Sequence, residues 1–64
     1  MENNVIKYLK QIEKEFVAAC YDSEKFVDGN NSAGTRIRKY MQNIKNLAQQ
    51  VRVEVQQQKK STVA

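Results

Sequence analysis

Four basic residues spaced seven apart give this 64-residue chain its clearest chemical signal. They are Arg38, Lys45, Arg52 and Lys59. Because seven residues make nearly two turns of an α-helix, side chains at this spacing line up on one face. At about 1.5 Å per residue the row is roughly 31 Å long, close to the roughly 34 Å of one DNA turn. Guanidinium and ammonium groups neutralise phosphates, so the spacing predicts a helix face that contacts a polyanion.

The charge is divided unevenly between the two halves of the chain. Residues 1–28 carry four lysines and six acids, whereas residues 29–64 carry seven basic residues and one acid, Glu54. The net charge is +4 and the pI is about 9.4. Such asymmetry favours a polyanion as the partner of the second half. A basic helix that pairs with an acidic neighbour, or that only faces solvent, is the alternative interpretation. The first half carries too little negative charge to neutralise the second.

Candidate phosphate-binding residues cluster in the second half. Thr35 adds a hydroxyl beside the first cations, and asparagines and glutamines supply amides that hydrogen-bond to phosphate or sugar. A helix that begins near Ser32 also directs free N–H groups and a favourable dipole toward an anion. The predicted binding residues are Arg36, Arg38, Lys39, Lys45, Arg52, Lys59 and Lys60.

The sequence offers little for catalysis. It contains no histidine and one cysteine, so neither an internal disulfide nor a His/Cys zinc site is possible. Glu13 and Glu15 point to different faces of a helix, and Cys20 lies beside an apolar stripe as a small hydrophobe would. We predict no enzymatic activity, no cofactor, no metal and no small-molecule substrate. The longest apolar run, residues 16–21, is too short for a membrane span, and we expect a cytoplasmic protein.

Two helices must position these residues. Apolar residues recur at steps of three and four on both sides of a turn signal that begins at Asp28. Gly29 suits a left-handed residue that ends the first helix, and Asn30 or Ser32 suits the start of the second. The prediction is a single all-α domain over residues 1–64, an antiparallel two-helix hairpin. Its segments are a helix at about 3–28, a turn at 29–32, a helix at about 33–58 and a frayed tail at 59–64.

A hairpin of this size cannot bury all of its apolar residues. The first stripe comprises Val5, Leu9, Ile12, Phe16, Ala19, Ser23 and Phe26, and the second Ala33, Ile37, Tyr40, Ile44, Leu47 and Val51. Val17, Cys20 and Val27 widen the first stripe, and Met41, Ala48 and Val55 widen the second. We therefore predict a homodimer that forms a four-helix bundle. The sequence does not specify which apolar residues form the hairpin and which form the dimer.

The second half resembles the bacterial linker-histone-like family, the histone-like proteins of chlamydiae with short members of the Bacteroidetes type. The resemblance covers roughly residues 26–58. Its elements are Gly29-Asn30, Ala33-Gly34-Thr35-Arg36, Arg38-Lys39, Ile44-Lys45-Asn46-Leu47-Ala48-Gln49 and Arg52-Val53-Glu54.

This resemblance implies a nucleoid-associated protein that binds DNA through its basic helix. Asn31 and Ile37 stand where the family commonly has lysine and alanine, and the long Lys/Ala-rich tail of the chlamydial members is absent from this sequence. We therefore expect a weaker DNA contact than strong compaction would require. The predicted function is histone-like binding of DNA phosphates without strong sequence preference. The alternative is a helical interaction module that docks on a larger protein or RNA assembly.

Overall fold

The computed structural model describes residues 3–62, which form two α-helices. Helix α1 comprises Asn4–Val27 and helix α2 comprises Asn31–Thr62. They pack side by side along their lengths, and the molecule measures 54 × 18 × 13 Å. The predicted all-α helical hairpin is confirmed. The dimer stays a prediction.

The turn between the helices is built as the sequence predicts. Gly29 has φ +102°, a left-handed conformation in which a Cβ atom would be strained. Its N–H donates to the carbonyl of Phe26, and the N–H of Asn30 donates to the carbonyl of Lys25, both at 3.0 Å. This pair of bonds satisfies two carbonyls at the end of α1, so the chain reverses within three residues.

Asparagine side chains cap the start of both helices. Asn3 Oδ1 accepts from the N–H of Val5 at 2.8 Å, and Asn30 Oδ1 accepts from the N–H of Ala33 at 3.1 Å. Each bond satisfies an N–H group that has no partner inside the helix. With Asn30 as the cap, α2 begins at Asn31, two residues earlier than the sequence predicted.

Helix α2 ends at Thr62, beyond the predicted end near residue 58. Residues 56–60 are three glutamines and two lysines, which are good helix formers, and no proline or glycine interrupts them. The last two residues of the predicted tail, 63 and 64, lie outside the described residues.

The seam between the helices is thin and partly polar. Among the described hydrophobic residues only Ala19 and Ala33 are buried. Both are small side chains, so larger apolar side chains of the seam stay partly exposed. Polar pairs cross the seam as well: Asn4 Nδ2 donates to Glu54 at 3.2 Å, and Asn43 Nδ2 donates to Glu15 at 3.3 Å. The half-buried residues of the seam are Val5, Tyr8, Ile12, Glu15, Ala18, Arg36, Ile37, Tyr40, Asn43, Ile44, Leu47, Val51, Glu54 and Gln58.

Packing against Phe26 explains why position 34 is a glycine. A Cβ atom at this position would lie 2.8 Å from two ring carbons of Phe26. Phe26 therefore lies directly over the backbone of the first turn of α2, which a larger residue would displace. This contact joins the ends of the two helices next to the turn.

The structure divides the predicted apolar stripe of α1 between two directions. Ile12 and Ala19 face α2, as expected. Leu9 and Phe16 do not, and their exposures are 51% and 58%. Tyr8 and Asp22 lie in the seam in their place. The second stripe behaves differently, because all six of its predicted members are at least half-buried.

Candidate nucleic-acid interface

The predicted cation row lies on the outer face of α2. Arg38, Lys45, Arg52 and Lys59 are all exposed. At about 100° per residue, Arg38 lies nearly opposite the centre of the seam, and each further step of seven residues turns the row by about 20°. The row therefore begins on the side farthest from α1 and winds gradually toward one flank of the hairpin. Lys39 and Lys60 are also exposed.

A second row on this face consists of glutamines. Gln42, Gln49 and Gln56 are spaced seven apart, and all three are exposed. They lie beside the cation row, so an amide accompanies each interval between two cations. The heptad spacing of these three glutamines is already visible in the sequence. Asn43, in contrast, faces the seam and donates to Glu15.

No carboxylate interrupts the outer face of α2. The one acid of this helix, Glu54, is half-buried in the seam and accepts from Asn4. The first turn of α2 contains no acidic residue, so nothing there offsets the positive end of the helix dipole. The cations and amides thus form a continuous positive surface along the helix.

Arg36 points the opposite way from the row. Its Nε donates to Asp22 Oδ2 at 2.9 Å, and a terminal guanidinium nitrogen donates to Asp22 Oδ1 at 3.0 Å. Asp22 is only 5% exposed, which makes it the buried acid of the seam. Two parallel bonds of this kind hold the two planar groups in a fixed orientation. Arg36 is therefore engaged within the hairpin, in contrast to Arg38 two residues later.

The ion pair also determines how Asp22 titrates. The guanidinium hydrogen bonds from Arg36 hold the pKa of this carboxyl below its usual value of 3.8, although burial acts in the other direction. Charges on Arg36 and Lys25, and a hydrogen bond from Tyr40, act in the same sense as the main effect. The pair fixes the register of the helices, because it joins the last turns of α1 to the second turn of α2 at one height.

Within residues 3–62, no cluster of three or more His, Cys, Asp or Glu side chains could hold a metal ion. Cys20 has a free thiol on an exposed part of α1. No described helix is both long and apolar enough to cross a membrane.

Comparison with known proteins identifies the family. The model of the family described as Histone H1-like protein Hc1 matches residues 6–61, which include both helices and the turn. Comparisons with curated proteins and with solved structures returned no match. The histone-like character of this family agrees with the basic outer face of α2. The chain belongs to the histone H1-like Hc1 family.

Proposed function

We propose that this protein binds DNA phosphates without strong sequence preference, through the outer face of α2. The observation that carries the proposal is the acid-free row of cations with its parallel row of glutamines. Family membership supports DNA binding and a place in the cytoplasmic nucleoid. The binding residues are Arg38, Lys39, Lys45, Arg52, Lys59 and Lys60. Arg36, the seventh residue that the sequence predicted, is left out of this proposed set because its guanidinium pairs with Asp22.

Backbone contacts explain why sequence preference is weak. Arginine, lysine and glutamine side chains on a straight helix reach phosphate and sugar oxygens, which are the same at every base pair. Residues 3–62 form two helices, without the third helix that holds a recognition helix deep in the major groove in a helix-turn-helix domain. If about five phosphates are neutralised per site, log affinity should fall with log salt at a slope of about −4.5.

The test is fluorescence anisotropy with labelled duplexes of unrelated sequence over a series of salt concentrations. We expect similar affinities for all duplexes and a steep loss with salt. Affinity that does not depend on salt, or that depends strongly on sequence, would contradict the proposal. Matched RNA duplexes and single strands belong in the same series. Tighter binding to RNA than to DNA would indicate that RNA is the polyanion that this protein binds, because phosphate contacts alone do not distinguish the two.

Charge reversal locates the binding face. The double variant Arg38→Glu/Arg52→Glu should lose binding while it keeps its helicity, because both side chains are exposed. Its control is Lys7→Glu/Lys14→Glu, which makes the same change of net charge on exposed positions of α1. We expect the control to retain much of the affinity. Equal loss in both variants would indicate that total charge, and not the α2 face, governs binding.

A further inference from the structure

A second set of cations lies on α1, away from the cation row of α2. Lys7 and Lys14 are seven residues apart, and Tyr21 and Lys25 follow after steps of seven and four residues. These steps are close to whole turns of a helix, so the four side chains share one face over roughly 27 Å. All four residues are exposed. We call this set the α1 lysine face.

Tyr21 is the member of this face whose exposure is least expected. Its side chain is 72% exposed, although tyrosine is usually at least partly buried. It lies on the face between Lys14 and Lys25. A phenol hydroxyl hydrogen-bonds to phosphate oxygens, as lysine ammonium groups do. The α1 lysine face therefore has the composition of a surface that contacts a nucleic-acid backbone.

The acids of α1 leave this face positive. The exposed acids of the helix, Glu13 and Glu24, lie roughly 100° away from the neighbouring lysines around the helix axis. Glu15 and Asp22 lie closer to the lysines, but both face the seam and accept hydrogen bonds from α2. No exposed carboxylate of α1 therefore interrupts the α1 lysine face, even though the first half of the chain is acidic as a whole.

The α1 lysine face and the cation row of α2 point in nearly opposite directions. The pair of Arg36 and Asp22 marks one flank of the seam. On α1 the lysines lie beyond that flank, turned roughly 110° from the centre of the seam. On α2 the cation row is turned roughly 130° toward the other flank. The body of the hairpin, 18 × 13 Å in cross-section, therefore separates the two positive surfaces.

We propose that the α1 lysine face binds the phosphates of a second DNA duplex while the outer face of α2 binds the first. This inference rests on the proposed function, because it takes DNA as the polyanion at α2. Duplex DNA has a persistence length of about 50 nm, so it is too stiff to wrap around a body of this width and one duplex cannot reach both surfaces. A single hairpin therefore joins two duplexes.

The contact at α1 is the weaker of the two. Three lysines in place of about five contacts give a slope of log affinity against log salt of about −2.7 in place of about −4.5. The affinity for a single duplex is therefore determined at α2, whereas capture of a second duplex is determined at α1. These two quantities can be measured separately.

Capture of a second duplex tests the inference. Beads that carry an unlabelled duplex are loaded with the protein, washed and incubated with a fluorescent duplex at low salt. Wild-type protein should retain the fluorescent duplex. The variant Lys7→Glu/Lys14→Glu should retain roughly tenfold less, because two of the three lysines that contact phosphate are reversed in charge. Its affinity for one duplex, measured by fluorescence anisotropy, should stay close to that of wild type because α2 is unchanged.

A charge-matched variant separates the position of the charges from their number. Adding Glu13→Lys and Glu24→Lys to Lys7→Glu/Lys14→Glu restores the net charge of +4 but places the new lysines on another side of α1. All four positions are exposed, so circular dichroism should show unchanged helicity. Capture should stay as low as in the parent double variant. Recovery of capture would show that total charge, and not the α1 lysine face, holds the second duplex.

The possible failures can be told apart. If Lys7→Glu/Lys14→Glu captures the second duplex as well as wild type does, the α1 lysine face is not the second site. If wild-type protein binds one duplex but captures no other, the second site is wrong while the proposed function stands. If wild-type protein binds no duplex in the anisotropy series, the proposed function fails and this inference falls with it.

Discussion

Arg36 and Arg38 are the same residue type two positions apart, yet they should respond in opposite ways to replacement by glutamine. Arg38 is exposed on the outer face of α2, whereas Arg36 is paired with the buried Asp22. We predict that Arg38→Gln weakens the salt dependence of DNA binding and leaves stability unchanged. Arg36→Gln should lower the melting temperature, because it leaves a buried carboxylate without its counter-charge, and it should leave the salt dependence unchanged.

The expected sizes follow from the number of phosphate contacts. Each neutralised phosphate contributes about −0.9 to the slope of log affinity against log salt. With about five contacts the slope is about −4.5, so raising salt from about 50 to about 200 mM weakens binding by roughly 500-fold. Loss of the Arg38 contact reduces the slope to about −3.6 and the change to roughly 150-fold. Arg36→Gln should keep the full 500-fold dependence.

The assay is a salt series by fluorescence anisotropy, preceded by thermal melting followed by circular dichroism. Binding is measured well below the melting temperature of the less stable variant, so that both chains are folded. The double variant Asp22→Asn/Arg36→Gln is the control, since it removes both charges and leaves two groups that can hydrogen-bond. If folded Arg36→Gln loses as much slope as Arg38→Gln, then Arg36 contacts phosphate and the assignment of the two faces is wrong.

Two further predictions concern the stability of the hairpin. The pKa of Asp22 is lowered on folding, so the stability that this group contributes is present above its ordinary pKa of 3.8 and is lost as pH falls through the folded value. Chemical denaturation from pH 6 to acid should therefore show a larger loss for wild type than for Asp22→Asn, and equal losses would contradict the effect of the ion pair. Gly29→Ala should destabilise the hairpin by about 1 kcal/mol, because a residue with a Cβ is strained at a positive φ. A urea midpoint equal to that of wild type would show that the turn adopts another conformation.

Much of the fold could be predicted because its determinants are local. The conformational preferences of Gly29 and Asn30 predict the turn. In the structure Gly29 has a positive φ and Asn30 caps α2, at the positions that the sequence indicated. The helical period is equally local, so the hairpin and the exposed cation row followed from spacing alone. The boundary of α2 was less accurate, because the sequence contains two candidate caps, Asn30 and Ser32, and only the formed hydrogen bond distinguishes them.

The pattern on each helix can be read from the sequence: the heptad row of cations, the apolar stripes and the uneven charge. The direction in which each pattern faces depends on how the two helices pack. Contact with α2 fixes the rotation of α1, and that rotation buries Asp22 while it exposes Leu9 and Phe16. It also separates Arg36 from Arg38, which look equivalent in the sequence. Spacing in the sequence shows which residues are neighbours on one helix, but packing between two helices depends on where their side chains fit together. Among the described residues, that packing buries Ala19, Asp22 and Ala33, which spacing alone does not single out.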